Sequence, residues 1–417
     1  CIDYAKEQNI TIRKNRITAA STQIDVKTAK AALFPSLSFS TSQQVVNRPY
    51  QETSSRVSGS EIISSNSKTS YNGNYGLNAS WTLYNGNKRL KTIQQEKLNN
   101  QVAELDVATS ENNIQESIAQ VYIQILYAAE SVKVNENTLQ VSIAQRDRGQ
   151  ELLNAGSIAK SDLAQLEAQV STDRYQLVTA QATLEDYKLQ LKQLLELDGE
   201  NEMNIYLPAL SDENVLAPLP TKRDVYISAL SLRPEIEASK LNVEASELGI
   251  NIAKSSYFPT ISLSAGIGTN HTSGSDFTFG EQVKNGWNNS IGLSVSVPIF
   301  NNRQTKSAVQ KAKLQYETSM LSLLDEQKTL YKTIEGLWLD ANSAQQRYAA
   351  ANEKLKSTQI SYELISEQFN LGMKNTIELL TEKNNLLQAQ QEQLQAKYMA
   401  ILNMQLLKFY QGDQLAI

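Results

Sequence analysis

One cysteine and one histidine in 417 residues remove several classes of function at the outset. A disulfide framework needs paired cysteines, a zinc site needs clustered Cys and His, and a Ser-His-Asp arrangement needs a histidine between two partners. No nucleophile–base constellation supports a hydrolase, and no cofactor or metal is expected. Proline and glycine are scarce, at 8 and 17, which suits long helices better than a compact α/β enzyme. With 44 acidic against 39 basic residues the net charge is −5, so nucleic acid is not an expected partner. Mean hydropathy is −0.40, and no apolar run approaches the roughly 18 to 20 residues of a membrane-crossing helix. The chain opens on Cys1 without a secretory leader, which suggests a trimmed or processed start.

What is present is one unit written twice. Gly372 follows Gly156 by 216 positions, and the same offset carries Asn154 onto Asn370, Leu163 onto Leu379, Tyr84 onto Phe300 and Asn85 onto Asn301. Internal repeats are established before any fold assignment, because they dictate it. The segments leading into each unit match at 224 instead, Phe34-Pro35 onto Phe258-Pro259. The first hairpin is therefore the longer by eight residues, and the second loop the shorter.

Each unit has the same order. Residues 1–34 read as helix, stopped at Pro35, since proline lacks the amide donor and biases its predecessor away from the helical region. Residues 35–84 read as a β-hairpin around a polar loop. Leu37, Phe39 and Thr41 alternate with serines, and Tyr75, Leu77, Ala79, Trp81 and Leu83 alternate with Gly76, Asn78, Ser80 and Thr82. Residues 85–195 form a long helical hairpin with its tip near 156. At ~1.5 Å per residue its first arm would extend on the order of 100 Å. Its returning arm carries a heptad seam at Leu163, Leu166, Val170, Leu177, Ala180, Leu184, Tyr187, Leu191 and Leu194, with Asp173 as the one polar intruder. Residues 196–232 read as a connection between the copies.

The second copy follows: a helix over 233–258, a hairpin over 259–300 and a helical hairpin over 301–417 with its tip near 372. Pro259 marks the second helix–strand junction and Pro298 closes the return strand. Ile261, Leu263, Ala265 and Ile267 alternate with Ser262, Ser264, Gly266 and Gly268. Ile291, Leu293, Val295 and Val297 alternate with Gly292, Ser294 and Ser296. Leu380, Leu387, Leu394 and Ile401 fall seven apart, and Gly156 and Gly372 suit the left-handed residue that ends a helix.

Four strands with one apolar face and one Ser/Gly/Asn face admit two homes. A soluble sandwich buries the apolar face; a membrane barrel turns it to lipid. Strand lengths near ten fit a tilted bilayer crossing. Small uncharged residues suit a watery lumen, and Trp81, Tyr75, Tyr84, Phe300 and Trp287 lie where an aromatic girdle would form. Four strands cannot close a barrel alone, so closure requires further subunits.

With these features in order, the chain resembles the TolC-type outer-membrane efflux channels over essentially its whole length. The twofold repeat, the FPS and FPT junctions, RPEIEASKLNVEASELGINIAKSSYFPTISLS, and the tips LNAGSIAKSDL and FNLGMKNTIELL carry the resemblance. It implies a predominantly α fold in which a 12-stranded membrane β-barrel, shared by a homotrimer, joins a long coiled-coil barrel in the periplasm. It further implies a passive, non-enzymatic export duct in the outer membrane of a Gram-negative bacterium, in contact with outer-membrane lipid. Its tips would meet a periplasmic adaptor fed by an inner-membrane transporter of RND, ABC or MFS type. A lipid on Cys1, as some relatives carry, is set against a truncated start, because CIDYAKEQNI resembles the family's first periplasmic helix.

The resemblance also points to a gate. Glu378 matches the carboxylate that, repeated by symmetry, narrows the tunnel mouth. Asp162 is its counterpart at the first tip, although an acid in a first helical turn is equally explained by the helix dipole. A second family carboxylate falls on Thr381, and Glu382 beside it points ~100° further round the helix. Lys374 and Phe369 match the basic and aromatic residues that contact the first tip's acid, so a Lys374–Asp162 latch is expected, against a solvated lysine. Gly156 and Gly372 mark the adaptor-facing tips. His271, in the second hairpin loop, is expected to be solvated at the cell surface. The rival readings are a periplasmic adaptor, which should show one helical hairpin with barrel-like domains, and a coiled-coil structural protein or adhesin, which gives no reason for four amphipathic strands.

Overall fold

Side-chain period decides where each element sits. A computed structural model of the chain describes residues 1–50, 54–58, 61–65, 68–198, 205–206, 208, 215–275 and 277–415. Parts of the expected first-hairpin loop and of the inter-repeat connection lie outside these residues. Contacts group the chain into two units: Cys1–Ala19 with Ala103–Ser239 and Ser322–Ile417, and Ala20–Val102 with Lys240–Leu321.

The second of these units holds a four-stranded antiparallel sheet of β1 (Ser36–Asn47), β4 (Thr69–Asn85), β5 (Thr260–Thr272) and β6 (Asn288–Ser296), in that spatial order. Its register aligns the apolar residues of both copies. Phe39 faces Leu77, which faces Ile267; Leu37 faces Ala79, which faces Ala265, which faces Ile291. The intervening rows are small and polar: Ser36, Ser80, Ser264 and Gly292, then Ser38, Asn78, Gly266 and Ser290. Because side chains alternate faces, this pairing gives one apolar and one polar surface. A bulge between Thr82 and Tyr84 brings Tyr84 opposite Ile261, on the apolar side. That side is bare, with Phe39 68% and Leu293 65% exposed. A sandwich would cover it.

Two departures concern the loops. The segment read as a polar loop contains a small hairpin of β2 (Ser54–Ser58) and β3 (Glu61–Ser65). The second loop carries a short helix, α7 (Phe279–Asn285), whose capping box joins Thr278 and Glu281. Both hairpins then turn into helix through two consecutive left-handed residues, Gly86-Asn87 and Asn302-Arg303, at φ between 51° and 65°. The 216-residue offset therefore holds at the level of backbone angles. Trp81 donates from its indole nitrogen to Leu33 O at 2.7 Å, and Arg89 binds the Ala32 and Thr82 carbonyls. Together they tie the end of one helix to the return strand.

The remaining elements are helices. The first is interrupted: α1 (Ile2–Gln8) and α2 (Ile10–Ala31) meet at Asn9, whose side chain accepts from the Thr11 and Ile12 amides and donates to Leu194 O at 3.2 Å. Asparagine favours such a local cap over helix continuation. The long arms are α3 (Lys88–Asn154), α4 (Lys160–Leu194), α8 (Gln304–Asn370) and α9 (Thr376–Gln411). α5 (Lys222–Leu232) ends the stretch between the copies, and α6 (Pro234–Ser255) is the opening helix of the second copy. The stretch taken as a plain connection thus ends in a helix, started by the Thr221 hydroxyl accepting from the Asp224 amide.

In the first unit the expected α4 seam is sheltered, with Leu163, Leu166, Val170 and Leu191 buried and Leu177, Leu184 and Tyr187 half-buried. On α9 the seam is broader than expected: Leu387 is buried as the spacing predicts, but so are Leu379 and Leu386 one position before the expected residues, while Leu380 is half-buried. Val225, Ala229, Ile236, Ile334 and Leu407 form another core, each full burial of a large aliphatic contributing about 1.5–3 kcal/mol. At its edge Arg233, of the RPEIEASK motif, reaches Glu116 at 2.7 Å and Glu235 at 2.8 Å, with its guanidinium 4.1 Å from the Tyr410 ring centre. Burial first, then the neighbouring Glu116 carboxylate, pushes the Tyr410 hydroxyl up to about 12.

Candidate gate at the helical tips

Both tips close with the same backbone device. At the first, the Ser157 amide donates to Leu152 O at 2.8 Å and the Gly156 amide to Leu153 O at 2.9 Å. At the second, Met373 donates to Gln368 O and Gly372 to Phe369 O, both at 2.9 Å. This nested pair of bonds requires a left-handed residue, and Gly156 and Gly372 stand at φ +71° and +73°.

The acids after each glycine act first as caps. Asp162 accepts from the Ala159 amide at 3.0 Å. Glu378 accepts from the Asn375 amide at 3.2 Å while Asn375 accepts from the Glu378 amide at 2.9 Å, a reciprocal capping box. Lys374 donates to the other Glu378 oxygen at 2.6 Å. That hydrogen bond, together with the Asn375 amide, holds the Glu378 carboxyl below its usual range. Within this chain Lys374 therefore pairs with Glu378, and the expected Lys374–Asp162 contact is not formed. The reason is local: the two partners lie four apart at one helix start, within easy reach of each other.

Phe369 is buried, at 3% exposure, in a cluster with Leu166 and Leu379, flanked by Leu152, Tyr362, Ile365 and Leu380. It joins the two helical hairpins through apolar packing. Thr381 bonds back to Ile377 O at 2.8 Å, and Glu382 accepts from the Ser361 hydroxyl at 3.0 Å. Neither is a free carboxylate facing solvent. Around the tip, Leu371 and Met373 are each 70% exposed and Ile377 is 63% exposed.

A buried ion pair between the hairpins lies outside the expected site residues. Lys383 of α9 and Asp173 of α4 are both buried and joined directly; Lys383 also donates to Ser142 of α3, whose hydroxyl donates to the same Asp173 oxygen. Gln169 donates to the second Asp173 oxygen at 2.8 Å. Loss of hydration pulls the Lys383 ammonium below its ordinary value, and Asp173 offsets part of that. Three helices are thus held by one closed triangle of charge-assisted bonds. Nearby, Gln145 of α3 donates to the Tyr362 hydroxyl of α8 at 2.8 Å, and burial pushes that phenol up. The intruding Asp173 was the available signal. A charge on an apolar seam demands a partner, and Lys383 lies three residues from Leu380 and four from Leu387, on the facing seam.

Among the described residues no group of His, Cys, Asp and Glu is placed to hold a metal ion, and no helix is long and apolar enough to cross a membrane. The arrangement offers aligned helices, a charged tip and an amphipathic sheet.

A sequence profile described as outer membrane efflux protein matches residues 1–196 and 225–412. Outer membrane efflux protein BepC of Brucella suis biovar 1 is 24% identical over 290 residues, 69% of this chain and 60% of that protein. Outer membrane protein TolC of Escherichia coli K12 is 22% identical over 311 residues, 72% of this chain and 62% of that one. The matches thus span about three-fifths of those relatives. A solved structure of CusC superposes with a TM-score of 0.83 at 19% identity, covering 99% of this chain and 91% of that one, a likeness of fold. With the profile running through both repeats, the chain belongs to the outer membrane efflux protein family.

Proposed function

We propose that the chain is one subunit of a trimeric outer-membrane duct for efflux or export, acting by passive passage and not as an enzyme. The observation that carries this reading is the four-stranded sheet, predominantly apolar on one side and small and polar on the other, with β1 and β6 as open edges among the described residues. Open edges cannot face lipid. Pairing β6 of one copy with β1 of the next closes the sheet, and three copies of four strands make the twelve-stranded barrel. An adaptor or adhesin would leave the apolar face without a home.

The tips serve as the gate. Glu378, repeated by threefold symmetry, supplies a ring of negative charge, Lys374 and Asp162 act beside it, and Phe369 anchors the second tip to the first. Thr381 and Glu382 stiffen α9 behind the ring. The exposed Leu371, Met373 and Ile377 suit docking of a periplasmic adaptor's helices, through which an inner-membrane transporter would deliver cargo. Light scattering of the purified protein together with liposome swelling tests the reading. A mass of three chains and entry of small polar solutes are expected; a monomer that leaves vesicles sealed would overturn it.

A further inference from the structure

The second hairpin loop does not simply hang from the sheet. His271 extends the apolar rows, directly opposite Gly73, with Tyr75 and Thr269 paired in the next row of the same face. Its ring lies 5.3 Å from Tyr71, 5.8 Å from Tyr75 in a stacked orientation, and 5.0 Å from Phe279 edge-on. The expectation of a solvated histidine is therefore corrected: the residue is half-buried, and its Nδ1 is buried with no hydrogen-bond partner among the described residues. Gly73 makes this possible, since a Cβ there would lie 2.2 Å from the imidazole Cε1. The imidazole fills a socket whose outer wall is the first residue of α7.

Two further bonds seat α7 on the same side. Thr269 donates to Val283 O at 2.7 Å, and Gln282 accepts from the Thr272 amide at 2.8 Å. The segment so fixed presents Phe277, Phe279 and Trp287 outward, at 47%, 58% and 57% exposure. Its height can be placed. From Trp81 to Tyr71 is ten residues, ~33 Å along a strand and ~25 Å after a tilt near 40°, which equals the apolar band of an outer-membrane barrel. α7 thus lies at the far margin of the lipid-facing surface, where amphipathic aromatics favour the headgroup boundary.

We propose that α7 and its flanking aromatics form an interfacial anchor seated in the headgroup region of the membrane's outer leaflet, held on the sheet by the His271–Gly73 socket. The partner is a lipid surface, argued from continuity with the apolar face. The inference rests on the reading that this face meets lipid.

The chain's three tryptophans allow a direct test. One variant, Trp81→Phe with Trp338→Phe, keeps only Trp287; another, Trp287→Phe with Trp338→Phe, keeps only Trp81. Each is reconstituted in phosphatidylcholine vesicles carrying a spin label near either the headgroup or the chain end. Trp287 should be quenched about twofold or more by the shallow label and little by aqueous iodide, and Trp81 should be quenched by lipid too. If Trp81 is quenched by lipid and Trp287 only by iodide, or by neither, the anchor is wrong while the orientation of the sheet stands. If lipid quenches neither, the orientation itself fails. His271→Ala should move Trp287 from lipid to iodide quenching, whereas His271→Phe should keep it in lipid. Unchanged quenching in His271→Ala would remove the socket from the account.

Discussion

The ammonium of Lys383 and the carboxylate of Asp173 meet at 3% and 1% side-chain exposure, although 210 positions separate them in the chain. This contact joins the first helical hairpin to the second, with Ser142 completing the triangle. Removing one partner strands the other without water. Lys383→Met or Asp173→Leu alone should each cost about 3–5 kcal/mol, while the double change to apolar residues should recover most of it. A double-mutant cycle by denaturant melting measures this directly. Additive losses would mean the two groups act separately.

The tip glycines should each matter for one reason. A Cβ at Gly156 or Gly372 would meet nothing within 4 Å, so only the left-handed backbone opposes a side chain. Valine at either position should cost about 1–3 kcal/mol, and asparagine clearly less, because it tolerates that conformation. Equal melting for valine and asparagine would contradict the assignment.

Much of this was legible from spacing alone. The two copies, the proline-marked junctions, the alternating strands and the glycine tips follow from periods of 2 and 3.6 and from two special residues. Cross-strand register was also implicit, since aligning the apolar faces leaves few choices. What spacing could not reveal was pairing between distant helices. Asp173 announced a partner, but the match with Lys383 depends on how two hairpins are rotated against each other. Lys374 was assigned across the tips because family position suggested it, whereas the i to i+4 reach to Glu378 is a purely local option. The socket at His271 needed the Gly73 register, which no single-strand pattern contains.

Charge on the two faces of the sheet should have opposite consequences. Ser80→Arg and Ser294→Arg fall on the polar rows and should assemble with altered ion selectivity. Leu77→Arg and Leu293→Arg fall on the exposed apolar rows and should cost about 2–4 kcal/mol at mid-bilayer, seen as loss of assembled protein in heat-modifiability gels. Equal tolerance on both faces would remove the membrane orientation.

Acid should loosen the second tip. Lys374 and the Asn375 amide lower the Glu378 pKa from its ordinary 4.5. A carboxyl held low in the fold contributes stability that is fully present above its unfolded value and lost as pH falls through the folded one. Glu378→Gln should therefore show a flatter fall in melting temperature than the parent protein as pH drops below 4.5. Parallel curves would show that the contacts of Glu378 add nothing to the closed tip.

Single-channel recording in a planar bilayer tests the central claim most directly. The parent protein should insert as a low-conductance, cation-selective pore, because the proposed ring of Glu378 carboxylates would concentrate cations at the narrow end. Glu378→Ala should weaken that selectivity, more visibly at low salt than at high, since screening already suppresses charge steering. Lys374→Ala, which frees the Glu378 carboxylate, should raise cation selectivity, and Lys383→Met alone, which leaves Asp173 buried without its partner, should raise conductance at every salt concentration by loosening the hairpins from each other. A protein that never conducts, or whose conductance and selectivity ignore all of these changes, would contradict a gated export duct with its gate at these tips.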